Sequence, residues 1–282
     1  MIRLIGEWGM KSLLKLLVIV CRHTPGFRGK WRLEAWLEKN KEKYVAFGPV
    51  TYRVKGRRYK VYPNTNFHLY MYGPKKNLSI VPLISKYAKP GNAVIDVGAH
   101  SGYFTICLSD AVGSDGKVYA FEASPIIYTE LQETVGSNGL ANVEAINKAV
   151  SDEVGHIDFF LAPTWKSEIS SMRPGDGNKT AIEAVTLDSV IPDSQPVSFV
   201  KIDVEGAEMK VLTGMKDIIQ RDHPTMVIEI SDPWLRELGS SSAEVFDLLH
   251  RHGYKTFEIR ERDYVEVTIP PHKQIDALCI FG

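Results

Sequence analysis

The stretch from Val94 to Phe104, VIDVGAHSGYF, constrains the fold more than any other part of this chain. An apolar, β-branched run carries an acid near its end, passes through two glycines and continues with apolar residues at helical spacing. That order describes a buried strand that turns on bare backbone and leaves as a helix. A strand is expected over Ala93–Val97 and a helix over Gly102–Val112. The pattern then recurs. Runs over Lys117–Glu122, Val143–Val150, Phe199–Asp203 and Thr225–Ile230 lack the polar alternation of a sheet with one wet face, so they read as strands buried on both faces. Helical patterns over Pro125–Asn138 and Gly206–Arg221 lie between them, and strand, helix and strand in succession build a parallel sheet with right-handed crossovers. A helix over Ser242–His252 and strands near Thr256–Ile259 and Ala277–Phe281 close the chain. The fold class is α/β.

This alternation sets in beyond Lys89-Pro90-Gly91-Asn92. The expected organisation is a helical arm over 1–44, a small β and helical appendage over 45–85, and the main domain over 86–282. One insertion breaks the rhythm: Ser151–Gly155 reads as a turn, His156–Leu161 as an added strand and Pro163–Thr180 as a long loop. Loops of that length in compact domains are usually functional or disordered, and Trp165 and Glu168 are its candidates for a lid.

Lys+Arg and Asp+Glu both total 34, so no basic excess points to nucleic acid, and none is expected as partner. The arm is different. Up to residue 45 it holds ten basic residues (Arg3, Lys11, Lys15, Arg22, Arg28, Lys30, Arg32, Lys39, Lys41, Lys43) against four acidic ones (Glu7, Glu34, Glu38, Glu42). Packing on the domain is its default role, with a dimer contact or peripheral contact with an anionic membrane as the alternatives. Its apolar run Leu13–Cys21 is interrupted by Lys15 and falls short of the roughly 20 residues that span a bilayer. Cys21, Cys107 and Cys279 form no C-x-x-C pair. This fits a reducing, cytoplasmic compartment, where the inner face of the membrane would be the surface met by the arm.

In an open α/β sheet, ligands bind beyond the carboxyl ends of the strands, and the first strand-to-helix turn is where backbone approaches them. Asp96, Gly98 and Gly102 fit that place. The spacing lacks the third glycine of the dinucleotide fingerprint, which argues against a nicotinamide-dependent oxidoreductase. The second strand ends in Glu122, about 20 residues after the turn, where dinucleotide folds place an acceptor for ribose hydroxyls. The fourth strand ends in Asp203, followed by Glu205 and Glu208. Any of these three acids could serve only as a cap for the following helix, where negative charge is favourable by about 0.3–1 kcal/mol. Their oxygens also suit magnesium or calcium, although no second ligand cluster accompanies them, and a divalent metal is the less favoured reading.

Four motifs bring these residues together: VIDVGAHSGYF, YAFEASP (Tyr119–Pro125), INKAVSD (Ile146–Asp152) and FVKIDVEGAEMKVLTG (Phe199–Gly214), the last being the most specific. Over roughly Tyr44 to Gly282 the chain resembles the FkbM family of class I S-adenosylmethionine-dependent methyltransferases. The resemblance implies a Rossmann-like fold with a mostly parallel seven-stranded sheet and helices on both faces, beside the N-terminal helical and β appendage. It implies S-adenosylmethionine as cofactor, with Asp96, Gly98, Ala99 and Gly102 at its amino-acid end and Glu122 at its ribose. His100, Ser101, Tyr103, Phe104, Ala123 and Ser124 complete the expected cofactor contacts, Lys148 lies near the adenine, and Asp203 lies below the sulfonium. The implied reaction is O-methylation of a hydroxyl on a sugar, glycan or related natural product. The chain departs from the family pattern at His100, where Asn is expected, and at Lys148, where many class I enzymes carry an acid.

A hydroxyl acceptor must lose its proton, so Asp203, Glu205 and His100 are the candidate catalytic residues. For His100 the plainer reading is a hydrogen-bonding residue of the turn. Tyr70 and Tyr72 read as core of the appendage, with closure over the cofactor as the alternative. A methyltransferase-like module that binds without catalysis is the competing reading of the whole chain.

Overall fold

The computed structural model describes residues 16–21, 30–39, 48–63, 65–66, 69–70, 79–161, 171–174, 178–261, 263–270 and 273–282. Tyr72, Trp165, Glu168 and most of the basic arm lie outside these residues. The strands are β1 (Val50–Val54), β2 (Arg57–Val61), β3 (Ala93–Val97), β4 (Lys117–Phe121), β5 (Val143–Ile146), β6 (Ala149–Val150), β7 (Gly155–Leu161), β8 (Asn178–Val185), β9 (Val197–Ile202), β10 (Thr225–Ile230), β11 (Tyr254–Ile259), β12 (Tyr264–Glu266) and β13 (Ile275–Phe281). The helices used below are α1 (Lys30–Lys39), α2 (Ile80–Tyr87), α3 (Tyr103–Val112), α4 (Pro125–Ser137), α5 (Leu187–Val190), α6 (Glu208–Thr213), α7 (Lys216–Asp222), α8 (Asp232–Glu237) and α9 (Ser242–Arg251).

The main sheet has the order β12-β11-β13-β10-β9-β3-β4-β5. Strands β5, β4, β3, β9 and β10 pair in parallel, and β13 enters antiparallel between β10 and β11. This is an α/β Rossmann-like sheet. The count is eight rather than seven, because β12 adds an antiparallel edge to β11. All five residues of β3 and all six of β9 are buried, as strands covered on both faces must be.

Side-chain alternation sorts the core into two layers. Ile95, Val97, Val200 and Ile202 pack with residues of α6, α7 and α9 on one face, while Val94, Val118 and Phe199 pack with α2 and α3 on the other. Each fully buried Ile, Leu or Val contributes about 1.5–3 kcal/mol, so the two layers together fix the sheet between its helices.

Three expected elements end differently. The third strand stops at Ile146, and Ala149–Val150 turns away to pair with β8 in a separate sheet of order β6-β8-β7. The loop expected to run to Thr180 gives way to β8 at Asn178. The helix expected over Gly206–Arg221 is two helices, α6 and α7, divided at Gly214 and Met215. At Gly214 a Cβ would stand 2.0 Å from the Ser151 carbonyl oxygen, so the backbone of the chain presses against this point and only glycine fits.

The β1–β2 hairpin lies across α3 and α4. Arg57 donates to Asp110 at 2.8 Å, Asn138 exchanges hydrogen bonds with the Arg58 backbone, and Lys60 pairs with Glu133. These contacts bring Tyr59 to the carboxyl edge of the sheet.

Candidate active site

Strand order reverses at β3: the chain steps from β3 to β4 on one side, while β9 and β10 fill the other. Such a switch point leaves a crevice beyond the strand ends. Here it is a cleft of about 350 Å³, within the size range of small-molecule sites. Of the residues expected at the site, Gly98, Ala99, His100, Tyr103, Phe104, Glu122, Ala123, Lys148, Asp203 and Glu205 line it. Asp96, Ser101, Gly102 and Ser124 are buried and do not line it.

The two glycines of the turn are each required by the packing of the protein itself. A Cβ on Gly98 (φ +74°) would lie 1.8 Å from the Asp203 carbonyl oxygen, since the turn rests directly on the end of β9. A Cβ on Gly102 (φ +93°) would come within 3.0 Å of Leu131 and Thr134 on α4. Gly98→Ala is therefore expected to destabilise the fold by about 3 kcal/mol or more, through steric overlap and positive φ together. Urea denaturation checks this, and a loss below about 1 kcal/mol would show that the turn can move off β9.

Glu122 holds the turn from the other side. One carboxylate oxygen accepts the His100 N–H at 2.9 Å and the other accepts the Ser124 N–H at 2.8 Å. Burial pushes this carboxyl up to about 7, with the two N–H bonds opposing. Beneath the turn, Asp96 is completely buried; one oxygen accepts the Thr105 hydroxyl at 2.6 Å and the other has no partner. Burial raises its pKa, and the Lys201 ammonium works against that.

Lys201 organises the opposite wall. Its Nζ lies 3.0 Å from Asp203 Oδ2 and 3.3 Å from the Gly98 carbonyl oxygen, and the residue is only 4% exposed. Asp203, Glu205 and Glu229 each place a carboxylate oxygen within 4.8 Å of the others. Burial opposes ionisation of Asp203, but the Lys201 charge and hydrogen bond, with a hydrogen bond from Glu229, hold its pKa below the ordinary value. Glu229 takes the opposite course: burial first, then the charges of Asp203, Glu205 and Asp276, push it up to about 9. At neutral pH the pair thus carries one proton, on Glu229. Three oxygens at this spacing could also accept a divalent cation.

A proton held in the folded state and absent from an unfolded glutamate makes stability fall as pH rises between the two pKa values. For Glu229 that window runs from about 4.5 to about 9. Glu229→Gln keeps the hydrogen bond without a titrating group. It is expected to flatten the fall in stability between neutrality and the top of this window, as read by urea midpoints across the pH range; an unchanged slope would assign the proton elsewhere.

The remaining acids have clearer structural duties. Glu208 accepts the Gly206 N–H at 2.9 Å and so caps the turn before α6, the plainer of its two readings. Glu205 has φ +55°, and Arg173 holds that strained residue: Nε donates to its carbonyl at 2.8 Å, while the guanidinium stacks on Trp234 and reaches Glu237. Lys148 lines the cleft with its ammonium paired to Glu183 on β8. Tyr70 is buried in the core layer of α2 and α3. His100, at φ +51°, is kept neutral because burial lowers its pKa to about 4.

The sequence reading missed Tyr59, Arg173, Lys201 and Glu229. For two of them a signal exists: Lys201 and Glu229 are charged residues inside the otherwise apolar strands VSFVKI and TMVIEI.

A Rossmann-like sheet with an acid-lined crevice at its switch point has the geometry of a small-molecule site at the strand tips. Residues 96–256, more than half of the chain, match the model of the methyltransferase FkbM domain, and the chain belongs to this family. It is 25% identical to the methyltransferase sdnD of Sordaria araneosa, over 50% of this chain and 66% of that protein. It is 26% identical to the 31-O-demethyl-FK506 methyltransferase FkbM of Streptomyces tacrolimicus, over 59% of this chain and 74% of that one. It is also 26% identical to the hexuronic acid methyltransferase AglP of Haloferax volcanii, over 50% of this chain and 57% of that one. The chain therefore spans a little under two thirds of the first of these relatives. Among the described residues no helix is long and apolar enough to cross a membrane.

Proposed function

We propose that the protein is an S-adenosylmethionine-dependent methyltransferase that methylates a hydroxyl group of a sugar, glycan or related natural product. The observation that carries this reading is Asp203: a carboxylate kept ionised by Lys201, at the tip of a central strand, on the wall of a cleft of ligand size. Family membership supports the reaction class, and the hexuronic acid methyltransferase among the relatives supports a sugar as acceptor.

The residues present suit the cofactor. Each Glu122 oxygen takes one N–H bond and keeps acceptor capacity for ribose hydroxyls. Glu122 and the turn Gly98–Ala99 would hold the nucleoside and amino-acid ends. When bound, S-adenosylmethionine would supply an electrophilic methyl group on a sulfonium.

The chain's own work is then positioning and proton acceptance. The walls of the cleft orient the acceptor hydroxyl, the kind of alignment that lowers a barrier by several kcal/mol. Asp203 accepts the hydroxyl proton, and Glu229 beside it, already protonated, keeps the pair from carrying two charges.

Glu122→Ala is expected to weaken adenosylhomocysteine binding by about tenfold or more, the value of a charge-assisted hydrogen bond, as measured by calorimetry. The reaction itself is tested by incubating the protein with methyl-labelled cofactor and a panel of hexuronic acids, hexoses and polyketide alcohols. Label in a product ether supports the proposal. Label on nitrogen, or cofactor binding with no transfer to any extract of producing cells, would favour an N-methyltransferase or a binding module instead.

A further inference from the structure

Three side chains form a hydrogen-bonded row into the cleft wall. Tyr59 Oη lies 2.8 Å from Ser101 Oγ, and Ser101 Oγ lies 3.0 Å from His100 Nδ1. Tyr59 and Ser101 are each 1% exposed, and His100 Nε2 is buried without a partner. Counting protons along this row decides which imidazole nitrogen carries hydrogen. The Tyr59 hydroxyl is buried and has Ser101 Oγ as its hydrogen-bond partner, so its proton is satisfied only by donation there. Ser101 then donates to Nδ1, which must be the bare nitrogen, and Nε2 carries the N–H. The reverse direction, with Nδ1–H donating to Ser101 and Ser101 to Tyr59, leaves the Tyr59 O–H and the Nε2 lone pair both unsatisfied. The first arrangement leaves one orphan and the second leaves two, and an orphaned buried group is costly.

We infer that Tyr59 and Ser101 fix His100 as its Nε2–H tautomer, and that His100 donates a hydrogen bond to a hydroxyl oxygen of the bound ligand rather than accepting the acceptor's proton. This rests in part on the proposed function, because the ligand is taken from it. The neutral oxygens that the proposed ligands bring to the cleft lined by His100 and Asp203 are the hydroxyls of the ribose and of the acceptor. The hydroxyl belongs either to the nucleoside or to the acceptor. His100 thereby leaves the set of candidate bases, and Tyr59, delivered by the β1–β2 hairpin, becomes a positioning residue for the site.

Nitrogen-15 NMR of the imidazoles in the full-length chain tests this directly. In the ligand-free protein His100 is expected to show a protonated Nε2 and an unprotonated Nδ1, and Ser101→Ala, which removes the hydrogen-bond partner of Nδ1, is expected to give a mixture of tautomers. A protonated Nδ1 in the wild type overturns the inference, as does an unchanged pure Nε2–H form in Ser101→Ala. A shift of the Nε2–H signal on adding adenosylhomocysteine assigns the hydroxyl to the nucleoside. A shift only when methyl glucoside is added to that complex assigns it to the acceptor. No shift with either contradicts the donor role, whereas failure of adenosylhomocysteine to bind at all counts against the proposed cofactor and leaves the tautomer standing.

Discussion

Asp203→Asn is expected to lower turnover by about 10²–10⁴ while leaving adenosylhomocysteine affinity within a few fold of the wild type. The asparagine has the same shape but cannot take a proton at neutral pH, so the loss falls on the chemical step. Among the acids of the cleft, Asp203 has the environment that best suits the proposed proton acceptor. Lys201 lies 3.0 Å from it and holds it ionised, whereas Glu229 is protonated and Glu205 is tied at its backbone to Arg173. Steady-state rates and calorimetry on the same preparation separate the two effects. Equal losses in turnover and cofactor affinity would make Asp203 a binding residue.

Lys201→Met is expected to damage the fold at least as much as Gly98→Ala. The ammonium is buried between Asp203 and the Gly98 carbonyl and also offsets the charge of Asp96. Removing this partner leaves the buried carboxylate of Asp96 and the part-exposed one of Asp203 uncompensated, which costs up to about 3–5 kcal/mol. If enough protein folds to assay, the pKa of Asp203 should rise, because the largest influence favouring its ionised form is gone. Activity would then be low at neutrality and recover as pH rises through the new pKa. Denaturation curves and a pH–rate profile read the two consequences. A variant as stable as wild type, with an unshifted profile, would show that Lys201 neither supports the turn nor tunes Asp203.

The architecture was readable because its strands are β-branched runs buried on both faces, a pattern that local sequence displays. The elements that escaped depend on distant contacts. Strand β12 is three residues long, with Glu266 and Val265 exposed, and is defined only by pairing with β11. The break between α6 and α7 follows from the Ser151 carbonyl pressing on Gly214, across 63 residues of sequence.

The same division runs through the site. Glu122 and Asp203 could be picked out because each is an acid at the carboxyl end of an apolar strand, and that position alone puts them at the cleft. Glu229 needed the register of β10 on β9: Ile228 pairs with Ile202, so the next residues, Glu229 and Asp203, arrive side by side. Tyr59 needed the docking of a hairpin 42 residues from Ser101. Gly98 is legible in the sequence as the bare turn after the first strand, whereas its close approach to the Asp203 carbonyl depends on another strand.

The proposed function requires a sulfur-bearing nucleoside to occupy the crevice beside Glu122 and Asp203. Calorimetric titration of the full-length chain with adenosylhomocysteine measures that directly. Saturable one-to-one heat that is weakened in Glu122→Ala, with no response to NAD, is the predicted result. No heat from adenosylhomocysteine under conditions where the chain is folded would contradict it.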